Sequence, residues 1–94
     1  MQVIVSYYTA SPDKTDNSPC YTADMTFICP AKVNIIANNC LKFGQKVKIN
    51  NKIYTVHDRM NKKYDCEYFD ILVSSKNEAI KLGRQFIVAN VLTN

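Results

Sequence analysis

Apolar and polar positions alternate along much of this chain with a period of two, and Pro, Asn or Gly breaks the alternation every few residues. That pattern marks short β-strands rather than helices. Residues 2–9 (QVIVSYYT) are β-branched and aromatic and too short for a helix, so they predict a first strand, buried on both faces. Residues 11–19 (SPDKTDNSP) predict a loop whose side chains bond their own backbone. Residues 26–29 and 33–37 predict two short strands split by Pro30, which cannot donate to a central ladder, and Asn38-Asn39 breaks the second. The clearest signal is a hairpin: residues 45–49 and 52–56 alternate around the Asn50-Asn51 pair, with Lys46 and Lys48 outward and Val47 and Ile49 inward.

Residues 68–73 (YFDILV) predict a further strand that stops at Ser74-Ser75. Ser75 followed three positions later by Glu78 spells a capping box, so one short helix is expected over residues 76–82, with Gly83 as its left-handed stop. Residues 85–92 (QFIVANVL) predict a final apolar strand. So many strands in so few residues expose sheet edges unless they close on themselves. The expected architecture is therefore mainly β, a small closed barrel with one short helix before the last strand.

At 94 residues the chain has room for one domain, residues 1–94, and its 47% hydrophobic and 21% charged content is that of a globular protein. The net charge of +4 tilts toward an anionic partner, but the lysines are dispersed, so no nucleic-acid surface is expected. No run approaches the ~18 apolar residues of a membrane span, and residues 1–10 lack the apolar core of a secretory signal. Cys20, Cys29, Cys40 and Cys66 form no close CxxC pair and stand beside a single His, which argues against structural zinc. The same four residues allow three disulfide pairings or remain buried thiols, and the sequence leaves both open. There is no Gly-rich phosphate loop, HExxH or GxSxG, so neither metal nor cofactor is expected.

The segment 54–71 (YTVHDRMNKKYDCEYFDI) holds the constellation with the makings of chemistry. Asp58 and Asp70 each end an apolar or aromatic run, with a lysine-bearing turn between them, so folding can carry both to one cleft. Partial burial among Tyr68, Phe69, Ile71 and Leu72 would raise the pKa of Asp70 toward that of a general acid, while Asp58, beside His57 and Arg59, would stay charged. The blander reading has both carboxylates satisfying backbone amides, His57 as a plain imidazole beside a turn, and the tyrosines as cross-strand packing.

Order and spacing of several short motifs go further. Val5-Ser6-Tyr7-Tyr8, Tyr21-Thr22-Ala23, Ile36-Ala37, Phe43-Gly44-Gln45, Val56-His57-Asp58-Arg59, Tyr68-Phe69-Asp70-Ile71, Glu78-Ala79 and Gly83-Arg84-Gln85 together resemble the three-aspartate, or 3D, domain. That family is related to rare lipoprotein A and the C-terminal part of membrane-bound lytic transglycosylase A, and more distantly to expansins and barwin-like proteins. The resemblance implies a six-stranded double-psi β-barrel and action on peptidoglycan at the cell envelope. It implies Asp70 as the lone general acid and then base, because the sugar's own 6-hydroxyl attacks, whereas ordinary glycoside hydrolysis needs a carboxylate pair. Asp58 would support it, and Tyr68, Arg59, Thr22 and Asn39 would contact substrate. The chain departs from the pattern where the family's first aspartate falls near Asn38 or Asn39, and where Arg59-Met60 replaces glycines. Asp24 and Thr26 stand near the place of a glutamate found in rare lipoprotein A relatives. The alternatives are a noncatalytic, expansin-like polysaccharide-binding module, or a structural or inhibitory protein with a protein partner.

Overall fold

A computed structural model describes residues 1–9, 20–29 and 34–92. The expected loop at residues 11–19, and Pro30 and Val33 of the split strands, lie outside the described residues. The elements are β1 (Gln2–Tyr8), β2 (Ile35–Ala37), β3 (Lys46–Ile49), β4 (Lys52–Asp58), β5 (Tyr68–Leu72), α1 (Lys76–Leu82) and β6 (Gln85–Val91). The strands close into a barrel in the order β1-β5-β2-β4-β3-β6. The protein is thus mainly β, a closed six-stranded barrel with one short helix ahead of its last strand, compatible with a double-psi arrangement.

Two neighbouring pairs, β1 with β5 and β2 with β4, run parallel, and the others are antiparallel. Exchanging β1, β2 and β3 for β4, β5 and β6 maps this order onto itself. The parallel pair β1/β5 becomes β4/β2, and the antiparallel pair β1/β6 becomes β4/β3. The connectivity therefore has an approximate two-fold symmetry, with β2 and β5 lying side by side near its axis.

Period-two alternation fills the inside. Val3, Val5, Ile36, Val47, Ile49, Val56, Phe69, Ile71 and Ala89 form the buried cluster. A smaller cluster, Ile28, Ile35 and Leu72 with Tyr8 packed against it, forms where the 20–29 segment lies on the outer wall. The hairpin turns on Asn50 and Asn51, both at positive φ, the conformation that a two-residue turn between twisted strands requires. Helix α1 buries no residue and rests on its caps: Ser75 Oγ accepts from the Glu78 amide at 3.1 Å, and the Gly83 amide donates to Ala79 O.

Two expectations change. β1 is not buried on both faces: Val3 and Val5 are sealed, while Ile4, Ser6, Tyr7 and Tyr8 are only half-covered, because a barrel strand has one true interior side. For the same reason β6 is apolar without being buried, and its outward Phe86 and Val88 are 80% and 56% exposed. Residues 26–29 form no strand. They close a small loop through Thr22 N to Thr26 O and Ile28 N to Cys20 O, with one isolated bridge between Tyr21 and Phe27.

The cysteines pair as Cys20–Cys29 and Cys40–Cys66, with Cα separations of 5.1 and 5.3 Å. The first pins the loop over the outer wall. The second ties the segment after β2 to the one before β5.

Candidate functional site

Asp58 is the last residue of β4 and Asp70 the third of β5, and β2 runs between them. Ala37 is the register partner of both, so the two aspartates flank it on either side of one sheet face, with backbones about 10 Å apart, two strand spacings. A register irregularity between Ile36 and Ala37 brings Asp58 opposite Ala37. Ser6 pairs with Asp70 on the other flank, and its hydroxyl donates to Asp70 Oδ1 at 3.1 Å. Both carboxylates are half-buried.

Asp58 is a heavily used acceptor. Its Oδ1 takes the Ala23 and Arg59 amides, each at 2.9 Å, and its Oδ2 takes the Tyr8 hydroxyl at 3.0 Å. Tyr8 lies between the two acids. Burial, the charge and hydrogen bond of Asp58, and the charge of Asp70 all push its phenol well above the usual tyrosine range. It therefore remains a protonated donor.

A second group stands beside this one. Asp24 Oδ2 lies 2.6 Å from His57 Nδ1, while its Oδ1 accepts the hydroxyls of Thr22 at 2.6 Å and Thr26 at 2.7 Å. Burial acts to raise the Asp24 pKa, but hydrogen bonds from Thr22, His57 and Thr26 outweigh it and hold the carboxyl down at about 2. His57 and Asp58 are consecutive, so one end of β4 anchors the covering loop twice: through Asp24, whose amide also donates to His57 O, and through Ala23.

The other expected substrate contacts are committed to the fold. Thr22 is buried and bonded to Asp24 and Thr26. Arg59 Nη1 donates to Asn38 O and Leu41 O, both at 2.8 Å, and its guanidinium stacks on Phe43 at 3.9 Å. Asn39 donates to Asn61 O and Tyr64 O and accepts the Met60 amide. Tyr68 leans on Tyr64 with ring centroids 5.0 Å apart. Of the six expected site residues, Asp58 and Asp70 share a face, Arg59 adjoins Asp58 through its amide, and Asn39 and Tyr68 belong to the neighbouring loop junction.

Asn38 is held where a carboxylate would not serve. It is fully buried; its amide donates to Cys66 O at 3.0 Å and Tyr68 O at 2.9 Å, and its Oδ1 accepts the amides of Cys40 and Leu41 at 2.8 and 2.9 Å. Two of these bonds need a donor, which a carboxylate does not have.

Sequence reasoning missed Tyr8, Ser6 and the Asp24–His57 pair as members of the site. Alternation along β1 puts Ser6 and Tyr8 on one side, which was a readable signal; the pairing of β1 with β5 was not. Among the described residues, no group of three or more His, Cys, Asp or Glu is arranged to hold a metal, and no helix is long and apolar enough to cross a membrane.

No protein-family model matches the chain, and no curated protein matches it.

Proposed function

We propose that the protein acts on bacterial cell-wall glycan in the manner of a lytic transglycosylase, with Asp70 as acid and then base, as a member of the 3D and rare lipoprotein A group of double-psi barrels. The observation that carries this reading is the pair of carboxylates flanking Ala37 on one half-open face, with the Tyr8 hydroxyl between them. In this reading Asp70 protonates the glycosidic oxygen as the bond to the anomeric carbon breaks. The same carboxylate then takes the proton of the sugar's 6-hydroxyl, which closes on that carbon to give a 1,6-anhydro ring. One carboxylate suffices because the nucleophile is carried by the substrate. Asp58, saturated by two amides and a phenol, positions Tyr8 and the covering loop rather than moving protons. The two disulfides fit work outside a reducing cytosol.

Incubation with purified peptidoglycan and mass spectrometry of the soluble products tests this. Anhydro-muropeptides from the native protein, and none from Asp70→Asn, are expected; equal yields from both would remove Asp70 from the chemistry. A noncatalytic glycan-binding reading is favoured by one feature, the edge-to-face pair Tyr21 and Phe27. It is 44% and 46% exposed on the loop that donates to Asp58, as a stacking platform for a sugar ring would be. Co-sedimentation with insoluble wall that persists in Asp70→Asn and is lost in Tyr21→Ala, without soluble products, would select it.

A further inference from the structure

At the end of the barrel where β4 begins and β5 ends, the interior opens into a cavity of about 390 Å³, within the roughly 300–1,000 Å³ of small-ligand sites. Neither Asp58 nor Asp70 lines it. Its inner wall is apolar and aromatic: Ile71 of the core, with Val73, Tyr7 and Tyr54 packed as the layer above. Barrel mouths of this kind are a preferred place for ligands, because the strands hold the wall rigid while the interior below is already dry.

The lip is charged with both signs. Lys52 opens β4 and Glu78 lies in the first turn of α1, so two different elements bring them to one cavity. They do not pair with each other. The Lys52 ammonium has no hydrogen bond or ion pair among the described residues, whereas Glu78 Oε2 accepts the Ser74 hydroxyl at 3.1 Å. Burial raises the phenol pKa of both Tyr7 and Tyr54, with Tyr54 adding to the effect on Tyr7, so both rings stay neutral. Asn34 and Asn50 add amides at the rim.

We propose that this barrel mouth binds a short zwitterionic peptide, its carboxylate toward Lys52, its ammonium toward Glu78 and its apolar part against Tyr7 and Tyr54. Unpaired opposite charges from two elements at the lip of an aromatic-walled cavity complement a molecule carrying both charges at its two ends, and neither a simple anion nor a simple cation satisfies both. The inference stands on the cavity alone and is independent of any chemistry at Asp70.

The test uses the full chain, isotope-labelled, titrated with alanyl-alanine and followed by amide and side-chain NMR. Shifts saturating at millimolar ligand and centred on Lys52, Tyr54, Ser74 and Glu78 are expected. N-acetyl-alanyl-alanine and alanyl-alanine amide, each lacking one charge, should bind at least tenfold more weakly, and these two controls need no mutant. Lys52→Met and Glu78→Gln should each weaken the dipeptide by a similar factor, with resonances elsewhere unmoved as the check on folding. No shifts at tens of millimolar, shifts away from the mouth, or equal binding of the capped and free dipeptides would each overturn the proposal. So would binding of N-acetylglucosamine at the mouth in preference to the dipeptide.

Discussion

Replacing Asn38 by Asp changes one NH₂ for one oxygen in a site with no spare volume, so its effect isolates what the amide donors do. The side chain is fully buried, and its Nδ2 faces the carbonyls of Cys66 and Tyr68 at 3.0 and 2.9 Å. In the variant both carbonyls lose a donor and meet a carboxylate oxygen instead. Each lost bond costs about 1 kcal/mol net, and each buried acceptor left bare costs a further ~1 kcal/mol or more. The bonds accepted from Cys40 and Leu41 survive and strengthen, and the Arg59 guanidinium, held on Asn38 O at 2.8 Å, offsets part of the buried charge. The sum is a loss of about 3–4 kcal/mol at pH 7, a large share of the roughly 5–14 kcal/mol that a chain of this size commands.

The sign of its pH dependence is also fixed. Two facing carbonyls and full burial raise the folded-state pKa of the new carboxyl above its unfolded value of about 3.9. The folded state then binds more protons than the unfolded one between those two values, so stability falls as pH rises, by at most about 1.4 kcal/mol per unit. The protonated acid also regains one donor toward Cys66 O or Tyr68 O. Urea unfolding of the native and N38D proteins at pH 4 and pH 7, disulfides intact, measures this as a difference, which cancels the native protein's own pH response. A deficit under 1 kcal/mol at pH 7, or one that grows at pH 4, would refute the account of Asn38.

Three further outcomes follow from other parts of the molecule. Removing Cys40–Cys66, which spans 26 residues, should cost about 3.5 kcal/mol of loop-closure entropy, against about 2.6 for Cys20–Cys29, which spans 9; paired Cys→Ser variants compared by thermal unfolding check the order. Asp24, held at about 2, contributes stability that is present above about pH 4 and lost as pH falls toward 2. The side chain keeps only 16% of its surface exposed, so the contribution is about 1–2 kcal/mol, and Asp24→Asn should match the native protein near pH 2 while falling behind it at pH 7. Thr9 buries a hydroxyl with no partner among the described residues, so Thr9→Val should leave the unfolding midpoint unchanged or raise it, by up to ~1 kcal/mol in stability.

Much of the fold was legible because its signals are local. The Lys46–Ile49 and Lys52–Asp58 hairpin announces itself through alternation and two asparagines, and α1 through Ser75, Glu78 and Gly83. Burial was less legible: continuous apolarity in β1 reads as a strand covered on both sides, yet closing a barrel covers one. What could not be read was pairing. That β2 lies between β4 and β5, putting Asp58 and Asp70 across one residue from each other, depends on contacts distant in sequence that no spacing rule encodes. The Asp24–His57 pair depends likewise on how a disulfide-closed loop lies on the outer wall.

That loop determines how the two aspartates divide their roles. Asp58 is held by an amide from the loop, an amide from its own neighbour and a phenol from β1, three donors from three segments. A carboxylate so placed works as a tie: removing it would release Ala23, loosen Tyr8 and leave the contacts of Asp24 and Thr26 with His57 to join β4 and the loop. Asp70 reaches the same face from the middle of β5, next to Ser6. Loss of function in an Asp58 variant would therefore report loop closure and Tyr8 placement, and would be recovered in part by any substitution that keeps an acceptor there, such as Asn. Asp70→Asn keeps an oxygen to accept the Ser6 hydroxyl and removes the proton-transfer capacity, so a loss there would point to the chemistry rather than to the loop.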